Sequence, residues 1–260
     1  MDTTSYNKDA WNREVEGGEN RWTKPFDSEV IAKARKGEFG ILLTENIPVP
    51  HNWFPPLQNA DVLCLASGGG QQGPVLAALG AKVTVFDNSP AQLKQDQLVA
   101  EREALSIKTV EGDAADLSVF GDETFDLVFN PCSTVFMQDV RAVWKEAYRV
   151  LRPNGVLMTG SMNSVHYIFD LEEFDKGNLK VAHSIPYSDQ KDLSKKELDD
   201  IIEKGYPLEF GHSLTDLLGG QLDAGFAITD MYEDYMSDSP LEKYHPSYIA
   251  TRAAKPTKQE

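Results

Sequence analysis

Short apolar runs rich in β-branched residues, each bounded by turn residues, recur along the middle of the chain. They predict strands at residues 61–66 (DVLCLA), 82–86 (KVTVF), 107–110 (IKTV), 125–129 (FDLVF) and 156–160 (VLMTG), with two more at 227–232 and 248–253. Helical patterns at 73–79, 90–105 and 139–151 fall between the first five. In the last of these, Val140, Val143, Trp144, Ala147, Val150 and Leu151 follow the helical period. Ser89-Pro90 places a capping hydroxyl before a proline at the first helical position, and Leu93, Ala100 and Ala104 then share one side. Arg152-Pro153-Asn154-Gly155 reads as the turn that ends the 139–151 helix. Nearly continuous apolar strands alternating with helices imply parallel pairing with both faces covered. Right-handed crossovers then give an α/β, doubly wound sheet.

The flanking regions read differently. Residues 194–204 predict a charged surface helix with Ser194 and Glu197 at capping-box spacing, and 213–224 a further helix feeding the last two strands. Residues 161–193 lack a clear period, and the wider stretch 161–212 is expected to be an insertion covering a substrate pocket. The first 57 residues hold three of the four tryptophans (Trp11, Trp22, Trp53) but no strand run. They are read as an arm or lid over a main domain spanning 58–260. Trp11 and Trp22 flank Gly17-Gly18, which suits either an aromatic flap on a glycine hinge or aromatic packing on the core.

Composition narrows the function. The 260 residues suit one large domain, and 41% hydrophobic residues can build its core. With 25 Lys+Arg against 41 Asp+Glu, the formal charge of −16 repels phosphate backbones and disfavours nucleic acid as a partner. No apolar run approaches the ~20 residues needed to cross a bilayer, and the polar start MDTTSYNKDAWNREVEGG has no signal-peptide core. Cys64 and Cys132 form no CxxC pair or dense framework. The expectation is a cytoplasmic protein without membrane or metal site, acting on something small.

The richest chemistry follows the first strand: Leu65-Ala66-Ser67-Gly68-Gly69-Gly70-Gln71-Gln72-Gly73-Pro74. Glycine permits a tight turn and lets a ligand lie against bare backbone, and the helix that follows offers N–H groups to a negative group. Gly68, Gly70 and Gly73 fit G-x-G-x-x-G, and Asp87 ends the second strand near the ~20-residue offset of an acid that grips ribose hydroxyls. A nucleoside cofactor is expected; the turn alone does not say which. Asp87 and Asn88-Ser89 also suit helix capping, and Gln92 could reach an adenine or complete a capping box with Ser89. The third strand ends in Glu111-Gly112-Asp113-Ala114, an acid followed by small residues that leaves room for a purine. The fourth ends in Asn130-Pro131-Cys132-Ser133, at the same open rim.

Together VLCLASGGGQQG, VTVFDNSPAQL, VEGDAADL, FDLVFNP and EAYRVLRPNGVLMTG resemble the class I S-adenosylmethionine-dependent methyltransferases, especially their small-molecule branch, over about residues 58–165. The terminal helix, strand, strand pattern is similar to that family's closing hairpin. The resemblance implies a mostly parallel seven-stranded Rossmann-like sheet with an antiparallel last strand, and S-adenosylmethionine as cofactor. It implies that Ala66, Ser67, Gly68 and Gly70 line the methionine end and that Asp87 holds the ribose, with Asn88 and Gln92 beside the adenosine. Asp113 and Ala114 would meet the adenine, and Asn130 would lie near the cofactor's amino acid and the reacting methyl. Two positions depart from the family pattern: Cys64 stands where the family has an acid, and Ala66 where it has its first glycine. Asn130-Pro131-Cys132-Ser133 also lacks the Asn/Asp-Pro-Pro-aromatic signature of methyltransferases acting on adenine or glutamine amino groups.

Methyl transfer from a sulfonium needs mainly alignment in a dry pocket, where orientation supplies up to ~7–11 kcal/mol. A base, worth ~10²–10⁴-fold, is needed only if the acceptor arrives with its proton. His166 and Tyr167, just past the fifth strand, are the candidate bases, with loop packing as the alternative. The expected partner is a small-molecule methyl acceptor. Two other readings fit the glycine fingerprint: an NAD(P)-dependent oxidoreductase, and a non-catalytic S-adenosylmethionine-binding protein.

Overall fold

The computed structural model describes residues 1–257, so the last three residues of the 58–260 span lie outside the described residues. In chain order the elements are α1 (Thr3–Gly17), α2 (Ser28–Ala34), β1 (Asp61–Leu65), α3 (Gln72–Ala78), β2 (Lys82–Asp87), α4 (Pro90–Glu103), β3 (Ile107–Glu111), β4 (Phe125–Asn130) and α5 (Val140–Val150). They continue with β5 (Leu151–Met162), α6 (Leu171–Asp175), β6 (Tyr187–Ser188), α7 (Asp189–Asp192), α8 (Lys195–Lys204), β7 (Phe210–Gly211), α9 (Gly220–Ala224), β8 (Ala227–Asp234) and β9 (Tyr248–Ala254). The main sheet has the order β3-β2-β1-β4-β5-β9-β8. Its first five strands are parallel, and β9 lies antiparallel to both β5 and β8. This is the expected doubly wound α/β sheet with an antiparallel last strand. β6 and β7 pair separately as a two-residue antiparallel ladder.

Alternation along β1 divides the core between the two faces of the sheet. Val62 and Cys64 join one cluster with Val83, Val85, Phe129 and Met158. Leu63 and Leu65 join the other with Phe86, Val143, Trp144, Ala147 and Leu157. All of these are buried, as both-face coverage of parallel strands requires. The apolar stripe of α5 forms as its periodicity predicts, with Asp139 capping the helix by accepting the Ala142 N–H. Ser89 caps α4 by accepting the Gln92 N–H, and Ser194 and Glu197 complete the capping box of α8.

Three local expectations change. The 152–155 segment is no turn ahead of a strand: β5 begins at Leu151, and Asn154 at φ 66° sits where the register against β4 shifts. A left-handed Asn inside a strand makes a bulge, which the same residue types also permit. The 213–224 helix is split into a π-turn at 215–219 and the short α9. The first 57 residues, read as an arm with no strand run, hold α1 and α2. The buried residues of α1 are Thr3, Asn7 and Ala10, so its inner face is largely polar and leaves no apolar period to read.

Ile31, Ile41, Leu43, Val49 and Trp53 are buried in the core cluster that holds Val62 and Cys64. Asp234, at the end of β8, fixes this segment from the opposite edge. Its Oδ2 accepts the Thr44 hydroxyl at 2.8 Å, the Asn46 N–H at 2.7 Å and the Ile47 N–H at 3.2 Å. Lys255, just past β9, donates to the carbonyls of Tyr148 and Leu151 at the C-terminal end of α5, where a cation also suits the helix dipole.

Asp234→Ala strands four donors at once, the fourth being the Tyr235 N–H, and is expected to destabilise the chain by about 2–3 kcal/mol. Urea unfolding of the variant against the parent checks this.

Candidate functional site

The turn after β1 sets the geometry. Ala66 takes φ 45°, and its N–H donates to the Phe86 carbonyl at 2.7 Å, bending the chain away from the sheet. Gly70 takes φ 75°, and a Cβ there would stand 2.9 Å from the Gln95 carbonyl and 3.0 Å from Pro25. Gly73 lets α3 lie against β2, since its Cβ would meet Val85 at 2.7 Å. Two carboxylates hold the turn from beneath. Asp87 accepts the Gly68 N–H at 2.9 Å on one oxygen and the Ser89 N–H at 2.9 Å on the other. Asp96, fully buried on α4, accepts the Gly69 N–H at 3.0 Å through Oδ2, while its Oδ1 has no partner.

Burial controls the charge of these groups. It raises the Asp87 carboxyl, against the opposing pull of the Ser89 and Gly68 N–H groups. It pushes Asp96 up to about 8, with the neighbouring Asp87 charge adding to the shift and the Gly70 and Gly69 N–H groups opposing it. Asp96 is therefore largely protonated at neutral pH, a neutral prop under the loop. Cys64, at the strand position beside it, is a buried thiol held well above its ordinary range by desolvation.

Above the turn, at the carboxyl ends of the strands, opens a cavity of about 690 Å³. Ala66, Ser67, Gly68, Asp87, Asn88, Gln92, Asp113 and Ala114 all line it. Each Asp87 oxygen accepts one backbone N–H and keeps a lone pair for a further donor, which suits a diol. Gln92 lines the wall with a buried Oε1 that has no partner. Its side chain completes no capping box, because the Ser89 N–H is committed to Asp87. Trp11 and Trp22 close the cavity from the N-terminal segment, Trp11 edge-on to Phe136 at 5.0 Å.

Four of the residues singled out in the sequence stand off this wall. Gly70 faces Pro25 and Gln95 and shapes the turn from outside. Asn130 is fully buried behind it: its Nδ2 donates to the Leu65 carbonyl at 2.9 Å and the Ser133 hydroxyl at 2.8 Å, and its Oδ1 accepts the Thr159 hydroxyl at 2.9 Å. It brackets the tips of β1, β4 and β5. His166 packs edge-on to Tyr167 and Phe174, and burial lowers it to about 4, so it is neutral. Tyr167 is buried against Tyr187, and its hydroxyl donates to Glu209 at 2.7 Å.

Glu209 does line the cavity, as do Glu45, Asp139, Met162 and Tyr248. The sequence offered little to find them by: Glu209 is one acid between Leu208 and Phe210, and Glu45 sits in an aperiodic segment. Burial pushes Glu209 up to about 7, with the Tyr167 hydroxyl opposing and the Asp189 charge adding. Nearby Cys132, also on the wall, is pushed up to about 12 by burial and by the Glu209 charge, so it is a protonated thiol.

A methyltransferase-domain family model matches residues 63–159. The uncharacterized methyltransferase YbaJ of Bacillus subtilis (strain 168) is 52% identical over 251 residues, covering 96% of this chain and 98% of that protein. An S-adenosylmethionine-dependent methyltransferase from Mesorhizobium loti superposes with a TM-score of 0.59 at 16% identity, covering 78% of this chain and 94% of that one. The 1,6-didemethyltoxoflavin-N1-methyltransferase of Burkholderia thailandensis, solved with its substrate and S-adenosylhomocysteine, gives 0.58 at 15% identity, covering 97% and 88%. The last two likenesses are of fold.

Two outcomes follow from the turn. Because Asp96 titrates near 8 when folded and near 3.8 when unfolded, the folded state binds the extra proton between those values, and stability falls as pH rises through that window. Asp96→Asn keeps an acceptor for Gly69 and removes this titration. The variant should lose less stability than the parent between about pH 5 and pH 8 in urea unfolding, with the slope from Asp87 and Glu209 retained. Ala66→Gly relieves a left-handed backbone and should stabilise by about 0.5–1 kcal/mol in the same assay.

Proposed function

The chain belongs to the S-adenosylmethionine-dependent methyltransferases, and we propose that it methylates a small-molecule acceptor held between the tips of β4, β5 and β9 and the 161–212 segment. The observation that carries this reading is the pairing of a glycine turn with Asp87 at the wall of one large cavity that continues past the adenosine half to Glu209 and Tyr248. In this reading Asp87 receives the ribose hydroxyls, Asn88 and Gln92 flank the nucleoside, and Asp113 and Ala114 meet the base. One feature favours a nucleoside fit: the buried Gln92 Oε1 on the cavity wall has no partner within the chain. Ser67, Gln71 and Gln72 line the part of the wall nearest the turn and would carry the amino-acid end.

When bound, the cofactor supplies an electrophilic sulfonium methyl with a neutral thioether leaving group. The chain's own work is to orient the acceptor and to exclude water. Within residues 1–57, α1 suits a cover, whereas Ile31, Ile41, Leu43, Val49 and Trp53 are built into the core. α1 reaches the adenosine side through the Asn12 side chain, which accepts from the Ser89 hydroxyl at 2.8 Å, and through a Lys8–Glu111 ion pair. It reaches the far side through Asn7, which holds Leu208 by a donated bond at 2.9 Å and an accepted one at 2.8 Å. These contacts are polar and exchangeable with water, as a lid that must open for exchange requires.

Isothermal calorimetry with S-adenosylhomocysteine tests the reading. Micromolar binding is expected. Asp87→Ala should weaken it about 30-fold or more, the loss of two hydrogen bonds to one carboxylate. No binding by the parent chain at millimolar ligand would overturn the proposal. Trp11→Ala should weaken binding by less and speed ligand release in stopped-flow displacement.

A further inference from the structure

Resting on the methyltransferase reading, we infer that the acceptor is an amine on an apolar body, with its nitrogen received by Glu209 and Glu45 beside Cys132. The cavity has two ends. One is the flank of β2 and β3, with Asp87 and Asp113. The other lies where Cys132 follows β4, Met162 ends β5 and Tyr248 begins β9. In the sheet order, β2 and β9 are four strand spacings apart, about 19 Å. A ligand seated at the first end leaves the second free for a separate molecule.

The chemistry of that second end is one-sided. Among the described residues lining the cavity are five acids, Glu45, Asp87, Asp113, Asp139 and Glu209, and no Lys, Arg or His. A carboxylate or phosphate acceptor would enter a cavity with nothing to balance it, which is costly at low dielectric, whereas a cation is drawn in. Glu209 has its Oε2 on the Tyr167 hydroxyl at 2.7 Å, and Glu45 has its Oε2 on the Tyr248 hydroxyl at 3.0 Å. Glu209 thus has its other oxygen available, while the other oxygen of Glu45 is shared with Arg21 at 3.6 Å. Leu42, Val135, Met162 and the Tyr248 ring supply the apolar wall around them.

Glu209 is built into place rather than left on a loop. Its backbone N–H donates to Asp189 at 2.7 Å, and Asp189 also receives the Tyr187 hydroxyl at 2.8 Å. The charged and titratable groups facing it are Tyr167, Asp189, Tyr187 and Cys132; no cation is among them. Arg21, half exposed, also donates to the Glu45 carbonyl at 3.1 Å. An ammonium arriving at Glu209 passes one proton to the carboxylate and becomes a neutral amine. Its lone pair then forms the N–C bond while the C–S bond breaks, the electron pair staying on sulfur as a thioether. The product leaves as the methylated ammonium, carrying the charge that was on sulfur, and Glu209 returns its proton to water.

The test uses the full chain saturated with S-adenosylhomocysteine and titrated with phenethylamine, phenethyl alcohol and phenylacetate. Phenethylamine should bind at least about tenfold more tightly than the alcohol, with phenylacetate weakest. The amine preference should grow from about pH 6 to pH 8 as Glu209 ionises. Glu209→Gln and Glu45→Gln should each reduce that preference while retaining S-adenosylhomocysteine binding, which reports an intact fold. If one variant fails to fold, the other variant and the parent's pH dependence still decide the matter. Equal or tighter binding of the alcohol or the anion would overturn the inference, as would amine binding too weak to detect at millimolar concentration, or a preference unchanged in the variants. A parent chain that does not bind S-adenosylhomocysteine sinks the methyltransferase reading instead.

Discussion

Everything at the rim of the sheet depends on how a loop of bare backbone is kept in one shape. Three consecutive glycines after β1 have little side-chain packing to hold them, so two carboxyl groups do it from below: Asp87 on Gly68 and Asp96 on Gly69. The two differ in state. Asp87 stands at the cavity wall with capacity left for a ligand, whereas Asp96 lies fully buried and mostly protonated. The acid that the family pattern places in β1 is a thiol here, and the buried acid lies one layer lower, on α4. Asp96 supports the turn through Gly69 and does not line the cavity.

The same logic of buried acids runs to the other end of the cavity. Glu209 and Asp189 are both raised by desolvation, and each is steadied by a tyrosine hydroxyl. A domain that leaves so many carboxyls without a cation in its main cavity carries a standing electrostatic cost. Such costs concentrate where a ligand removes them. Asn130 marks the contrast: its polar atoms are satisfied within the protein, and it stands behind the wall.

How much was legible follows from which interactions leave a period. All seven strands of the main sheet and helices α3, α4 and α5 announced themselves, because the buried central strands demand apolar runs and the stripe of α5 repeats with the helix; α2, though packed in the core through Ile31, did not. The turn, Asp87 and Asp113 were legible because loop geometry needs particular residue types at fixed places. α1 was not, since Thr3 and Asn7 make its inner face polar. Glu209 was not, because nothing along the chain distinguishes a buried acid from the many exposed ones. His166 and Tyr167 drew notice by proximity in sequence, yet the fold turns them away from the opening and sets Tyr167 to hold Glu209. Where a residue works through a tertiary contact between distant segments, as Asn7 does with Leu208, the linear pattern has no record of it.

The placement of β9 between β5 and β8 bears on how this protein can be made. Among the described residues β8 is an edge strand whose neighbour in the sheet is β9, and β9 follows it in the chain. On a ribosome, β8 therefore emerges before the strand it pairs with, and the flank of β5 stays open until β9 has been made. Asp234 cannot clasp residues 44–47 until β8 is seated, and Lys255 reaches the end of α5 later still. Until β9 is in place, the open edges of β5 and β8 can template pairing with other chains.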